Sequence, residues 1–240
     1  MESQKSTFDI STYSALSICE GRALMEMFRW FHRITCENEI EWYAQCGTML
    51  GAIRCGGLIK WDDDIDIAIE SQHYDKLKDC RTRLEKGSWK GVYPPISRPK
   101  NGEEDKRRPP IYALKYVGQY CKLELISSRD DTGEAKLWID IFKVHNGIYP
   151  QKHCQGCNAP DDMRLPLRKV SYGGLSIKVP NKAEELLDRE FPNWRTEAVI
   201  YNHQAPKKKI IKGEVVYAKW GGYQSLGTYP LTPEIDKPLI

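Results

Sequence analysis

The run Trp61-Asp62-Asp63-Asp64-Ile65-Asp66-Ile67-Ala68-Ile69 constrains this chain more than any other stretch of it. Carboxylates alternate with isoleucines there, and a period of two marks a strand with one face in a core. Residues two apart on a strand share a face. Asp64 and Asp66 therefore project together, their backbones about 6.5 Å apart, while Ile65, Ile67 and Ile69 enter the core. Two such carboxylates on a half-buried sheet repel each other and lose hydration. A divalent cation that prefers oxygen ligands offsets both costs, which predicts Mg2+ or Mn2+. The alternative, an exposed acidic edge, conflicts with the three isoleucines on the reverse face. Asp62 and Asp63 are additional candidates, with a solvated or helix-capping role as their alternative.

A second segment repeats the theme, since Leu137-Trp138-Ile139-Asp140-Ile141-Phe142 sets one carboxylate in an apolar strand. If this strand lies beside the first, about 4.8 Å away, Asp140 completes a three-carboxylate cluster of the kind that serves two-metal phosphoryl transfer. Otherwise Asp140 accepts hydrogen bonds from a turn or pairs with a basic residue such as Arg54. Upstream, Gly47-Thr48 reads as a tight turn between a strand at Ile40 to Cys46 and a short helix opening at Met49. Free amides at such a helix start suit a phosphate. Trp61 and Trp138 read as packing walls rather than as platforms for a base.

Around these motifs the chain reads as one catalytic domain over 1–240, of class α/β or α+β, with its core at about 40–194. An amphipathic helix in the segment 15–39 carries Leu24, Met27, Phe28, Phe31 and Ile34 at three- and four-residue spacings and should cover a sheet. Ser71 is the expected cap of a helix through Tyr74, Leu77 and Leu84. Extended runs follow at Ile111 to Val117 and Tyr120 to Ser127, then a strand at Lys136 to Val144, predicting an antiparallel hairpin added to a mixed sheet. Asn181, with Glu184 three positions on, reads as the start of a late helix. The charged, Pro-rich segment Arg98 to Pro110 reads as a loop, and 213–240 as an irregular surface tail.

Composition excludes more than it assigns. With 36 basic against 33 acidic residues the balance is nearly even, so nothing demands a nucleic-acid partner. No stretch approaches the roughly 18 apolar residues of a membrane span, and Met1 to Ser17 lacks a basic region followed by an apolar one. The expectation is a soluble cytoplasmic chain with free thiols at its eight scattered cysteines. Were the natural protein to carry an anchor, the Golgi or secretory lumen would be the alternative. Cys154 and Cys157, with His153 and His145 near, have half of a zinc motif, but no second Cys pair follows. The run Lys207-Lys208-Lys209 reads as solvated surface rather than as a glycan or phosphate site.

A Gly-Thr turn, a spacer, Asp-x-Asp on a strand and a further strand aspartate together resemble nucleotidyltransferase-fold enzymes, and within them the LicD and fukutin type of phosphotransferases. The resemblance rests on Gly47-Thr48-Met49-Leu50-Gly51-Ala52-Ile53-Arg54, on Gly57-Leu58-Ile59-Lys60-Trp61-Asp62-Asp63-Asp64-Ile65-Asp66-Ile67, and on Trp138-Ile139-Asp140-Ile141-Phe142. A looser match covers Tyr172 to Trp194. The resemblance implies a mixed sheet with flanking helices and transfer of phosphocholine or a polyol or sugar phosphate from a CDP-linked donor to a glycan hydroxyl. It also implies Asp64, Asp66 and Asp140 as metal ligands and catalytic residues, Gly47 and Thr48 against the donor phosphate, and Arg54 steadying phosphate charge. Lys60 stands as a further candidate beside Asp62 and Asp63. Cys55 and Gly56 depart from the polar or basic pair common in relatives. Two other functions compete, a nucleotidyltransferase attaching a nucleotide to a sugar phosphate or protein, and a non-catalytic glycan-binding module.

Overall fold

The amphipathic spacing near the start forms helix α1, Ile18–Glu37, in the computed structural model. The described residues are 16–59, 62–86, 112–117, 120–129, 131, 133, 135–150, 158–200 and 216–219. Ser17 starts α1 with a capping box, its hydroxyl accepting from the Glu20 amide while the Glu20 carboxylate accepts from the Ser17 amide. Leu24, Met27, Phe28, Phe31 and Ile34 are all buried along one stripe.

That stripe lies against a five-stranded mixed sheet built from β1 (Trp42–Ala44), β2 (Ile65–Glu70), β3 (Tyr112–Val117), β4 (Tyr120–Leu125) and β5 (Trp138–Val144). Its order is β1-β2-β5-β4-β3, with β2 and β5 parallel and the other pairs antiparallel. Period two decides which side chains go where. Ile65, Ile67 and Ile69 of β2, Ile139 and Ile141 of β5, and Cys121, Leu123 and Leu125 of β4 are buried on one face. The Phe28 and Phe31 rings of α1 sit 5.5 and 5.8 Å from Trp42 at the sheet edge. Asp66, Asp140 and Lys122 occupy the alternate positions and so share the opposite face.

The expected hairpin is β3 with β4. A second hairpin joins β6 (Arg168–Tyr172) to β7 (Leu175–Val179). Its signal was present, since Gly173-Gly174 turns the chain with positive φ at both positions, which glycine adopts without strain. Tyr172 of β6 is buried and meets Phe28 of α1 edge-on at 5.6 Å.

Several sequence expectations need correction. Gly47 and Thr48 are not a turn before a helix but lie in the first turn of α2 (Cys46–Arg54), because the chain bends one step earlier, at Cys46, whose φ is 44°. After Ser71 there are three short helices, α3 (Ser71–Tyr74), α4 (Lys76–Asp79) and α5 (Arg81–Lys86), rather than one. Ser71 does not cap them, since its hydroxyl donates to the Val144 carbonyl of β5 and Glu70 takes the cap position. The helix α6 (Asp161–Arg164) precedes α7 (Ala183–Glu190), whose cap position belongs to Lys182 and not to Asn181. The Asn181 amide donates instead to the Arg164 carbonyl, which ties the entry of α7 to the end of α6. Part of the expected irregular tail is a strand, β9 (Val216–Lys219), paired with β8 (Glu197–Ile200).

Lys60, Trp61, the Arg98 to Pro110 loop, the Cys154 and Cys157 pair and the Lys207 to Lys209 run lie outside the described residues. Cys19, Cys36, Cys46, Cys55, Cys80 and Cys121 form no disulfide. Among the described residues no helix is long and apolar enough to cross a membrane.

Phe28 joins α1 to both the sheet edge and the second hairpin. Replacing it, Phe28→Ala, is expected to cost roughly 3–5 kcal/mol of folding stability, read by urea denaturation. A loss below about 1 kcal/mol would show that α1 is not anchored through this ring.

Candidate functional site

Strand register brings the acidic residues together. Asp66 pairs directly with Asp140 across the parallel β2 and β5, and Asp64 lies one residue ahead of β2, on the Asp66 side. One ligand oxygen from each of Asp64, Asp66 and Asp140 lies within 4.8 Å of the others. Asp62, Asp63 and Asp64 make a second such trio, so Asp64 belongs to both. Asp63, Asp64 and Asp140 are buried. An all-carboxylate set, with three of its five members buried, could hold a divalent cation that takes oxygen ligands.

Electrostatics mark the same place. Burial first, and then the charges of Asp64 and Asp63, push the Asp62 carboxyl well above the ordinary carboxylate range. The Asp62 carboxylate comes this close because position 47 is glycine: a Cβ there would fall 2.3 Å from Asp62 Oδ2. Gly47 thus makes room for an acid beside the start of α2.

Thr48 and Arg54 are placed otherwise than the sequence suggested. Thr48 is 1% exposed, and its hydroxyl accepts from the amide of Asp66 at 2.8 Å, pinning α2 to the strand that carries two of the carboxylates. The Tyr172 hydroxyl hydrogen-bonds to the same Thr48 side chain from behind. Arg54 is 3% exposed and donates to the Trp194 carbonyl at 3.2 Å, with the Cys55 thiol beside it. Both side chains are packed inward, Thr48 on the Asp66 amide and Arg54 on the Trp194 carbonyl.

Asp140 has partners that the sequence did not foretell. The Trp138 indole N–H donates to Asp140 Oδ2 at 3.0 Å, and the Lys122 ammonium lies 3.4 Å from Asp140 Oδ1. The same ammonium sits 4.1 Å above the Trp138 ring. A basic partner of Asp140 is Lys122, in register with it on β4. Trp138 is neither a bare wall nor a platform for a base: it orients the carboxylate. The alternation Cys121-Lys122-Leu123 put Lys122 on the outer face, but its meeting with Asp140 depends on how β4 and β5 pair.

The family model described as LicD/FKTN/FKRP, nucleotidyltransferase domain, matches residues 39–182, more than half of the chain. The chain belongs to the LicD family. That span contains the acidic strand, Asp140 and its Lys122 partner, and both strands of the second hairpin. Relatives of this LicD-family chain are distant. The human ribitol 5-phosphate transferase FKRP is 22% identical over 199 residues, which is 80% of this chain and 35% of that protein. The lipopolysaccharide cholinephosphotransferase LicD of Haemophilus influenzae is 34% identical over 55 residues, 23% of this chain and 21% of the enzyme. An uncharacterized protein of Rickettsia prowazekii is 23% identical over 252 aligned residues, 99% of this chain and 74% of its own. The two named relatives are transferases of phosphate-containing groups.

A carboxyl whose pKa rises on folding holds its proton more tightly in the folded chain. The stability it contributes is complete at acidic pH and is lost as pH climbs from its ordinary value, 3.8, through the raised one. Without divalent metal, Asp62→Asn should therefore be more stable than wild type at pH 7, and the difference should shrink toward pH 4. Urea denaturation of both proteins across that range measures it. A wild type that matches the variant at every pH would contradict the electrostatic account of this cluster.

Proposed function

We propose that this LicD-family chain is a metal-dependent transferase that moves a phospho-substituent from a CDP-linked donor to a glycan hydroxyl. The transferred group is phosphocholine or a polyol or sugar phosphate, in line with what the ribitol 5-phosphate transferase and the cholinephosphotransferase are named for. One observation carries the reading: carboxylates from two parallel strands meet within 4.8 Å on the outer face of the sheet. Asp64, Asp66 and Asp140 are the residues assigned to hold Mg2+ or Mn2+. Such an ion, when bound, neutralises charge on phosphoryl oxygens.

The remaining roles fall to the chain itself. The acceptor hydroxyl attacks the β-phosphorus of the donor in line, a new O–P bond forms, and the bond to the departing CMP breaks. Asp140 is the carboxylate proposed to receive the hydroxyl proton, with the Trp138 indole N–H and Lys122 fixing its orientation. Thr48 and Tyr172 act behind the site, holding Asp66 through its backbone amide. Gly47 keeps the space that Asp62 occupies.

Incubation with radiolabelled CDP-choline or CDP-ribitol, a glycan acceptor and Mn2+ tests the proposal. Free CMP and label on the acceptor are the expected products. Nucleotide attached to the acceptor would instead identify a nucleotidyltransferase, and no transfer with any donor would favour a non-catalytic glycan-binding module. Asp140→Asn is expected to lower the transfer rate by at least roughly a hundredfold, given the usual worth of a positioned acid-base group. A wild-type rate in that variant would remove Asp140 from both of its assigned roles.

A further inference from the structure

The pairing registers line up four charged residues across the outer face of the sheet, one on each of four adjacent strands. Asp66 lies opposite Asp140, Asp140 opposite Lys122, and Lys122 opposite Lys115. With strands about 4.8 Å apart, the row passes from two carboxylates to two ammonium groups within about 15 Å. Lys122 is well held. Its side chain is 23% exposed, and its ammonium is fixed between Asp140 Oδ1 and the Trp138 ring.

Like charges directly opposite one another on a sheet are unfavourable, so the Lys115 and Lys122 pair needs a reason. Glu124, on the same face, does not supply it fully. Its carboxylate is shared between Lys115, at 3.7 Å, and Arg129, at 3.1 Å. Asp140 is the acidic neighbour of Lys122, and Asp140 also belongs to the three-carboxylate cluster. Among the described residues the row is thus segregated by sign, with Asp64, Asp66 and Asp140 on the β2 and β5 side and Lys115, Lys122 and Arg129 around Glu124 on the β4 and β3 side. A polyanion that bridges a cation held by the carboxylates and the lysines would suit that polarity.

We infer that Lys122, with Lys115 beside it, is the seat of a donor phosphate, one strand away from Asp140. The ligand class is the diphosphate of a nucleotide conjugate, whose oxygens would span from the carboxylate cluster to the lysines. The inference rests on the transferase reading above and adds to it a cationic contact on the β4 side, whereas Thr48 and Arg54 are packed inward. It also sets a direction along the sheet, with the donor phosphates on the β4 and β3 side of Asp140. A purely structural Lys122, present to neutralise Asp140, would predict no effect on phosphate binding.

Isothermal titration of the full chain with inorganic pyrophosphate, with and without Mn2+, separates the two. Lys122→Met is expected to weaken pyrophosphate binding by at least roughly tenfold, as loss of a charge-assisted hydrogen bond would. Lys115→Met should weaken it less, and Lys122→Arg should keep most of it. Binding of Mn2+ alone should not weaken in Lys122→Met. Should the Met variant fail to fold, the Arg and Lys115 variants still rank the contacts. Unchanged pyrophosphate affinity in Lys122→Met and Lys115→Met, or no pyrophosphate binding by wild type in either condition, would overturn the inference. Lysine-dependent pyrophosphate binding in a wild type that takes up no Mn2+ would uphold the phosphate seat while removing the metal from the proposed function.

Discussion

The parallel pairing of β2 with β5 sets Asp66 beside Asp140, and the polar face of the sheet is arranged around that contact. Carboxylates opposite one another on neighbouring strands repel, so the pairing has to be held by something else. The reverse face supplies it. Ile65 pairs with Ile139 and Ile67 with Ile141, all four fully buried, and each such side chain contributes roughly 1.5–3 kcal/mol by leaving water. A slip of one residue would turn these isoleucines outward and drive the aspartates into the core. The apolar face therefore fixes the register, and the register fixes the acidic cluster.

Around this contact stands a layer of residues that touch the carboxylates or the strand bearing them. Thr48 reaches from α2 to the Asp66 amide, Tyr172 reaches Thr48 from the second hairpin, and Phe28 of α1 packs on Tyr172. On the other side Trp138 and Lys122 hold the Asp140 carboxylate. Segments more than a hundred residues apart in the chain thus converge on two adjacent strand positions. Such support restricts the carboxylate oxygens to a narrow set of positions.

Much of this was legible in the sequence where the signal is local. Alternation of Asp and Ile from Asp64 to Ile69 announced the strand and its two faces, and the three- and four-residue spacing of Leu24 to Ile34 announced α1. Local signals failed where a side chain had a better partner at a distance. The Ser71 hydroxyl bonds the Val144 carbonyl of β5 instead of capping a helix, and at Asn181 the tie of its backbone amide to the Arg164 carbonyl accompanies a helix start one residue later, with Lys182 at the cap position. Gly173-Gly174 was an overlooked hairpin signal and not a hidden one.

By itself the sequence determined the chemistry on offer: which residues are acidic, that Asp64 and Asp66 share a face, and that Asp140 is a lone carboxylate in an apolar strand. The physical reason is that backbone period and side-chain polarity are properties of neighbouring residues alone. Only the tertiary structure decided that Asp140 lies opposite Asp66, that Lys122 and Lys115 continue the same row, and that Thr48 and Arg54 turn inward. Those outcomes depend on the order and register of strands, which are set by the summed burial of the whole core and not by any single segment.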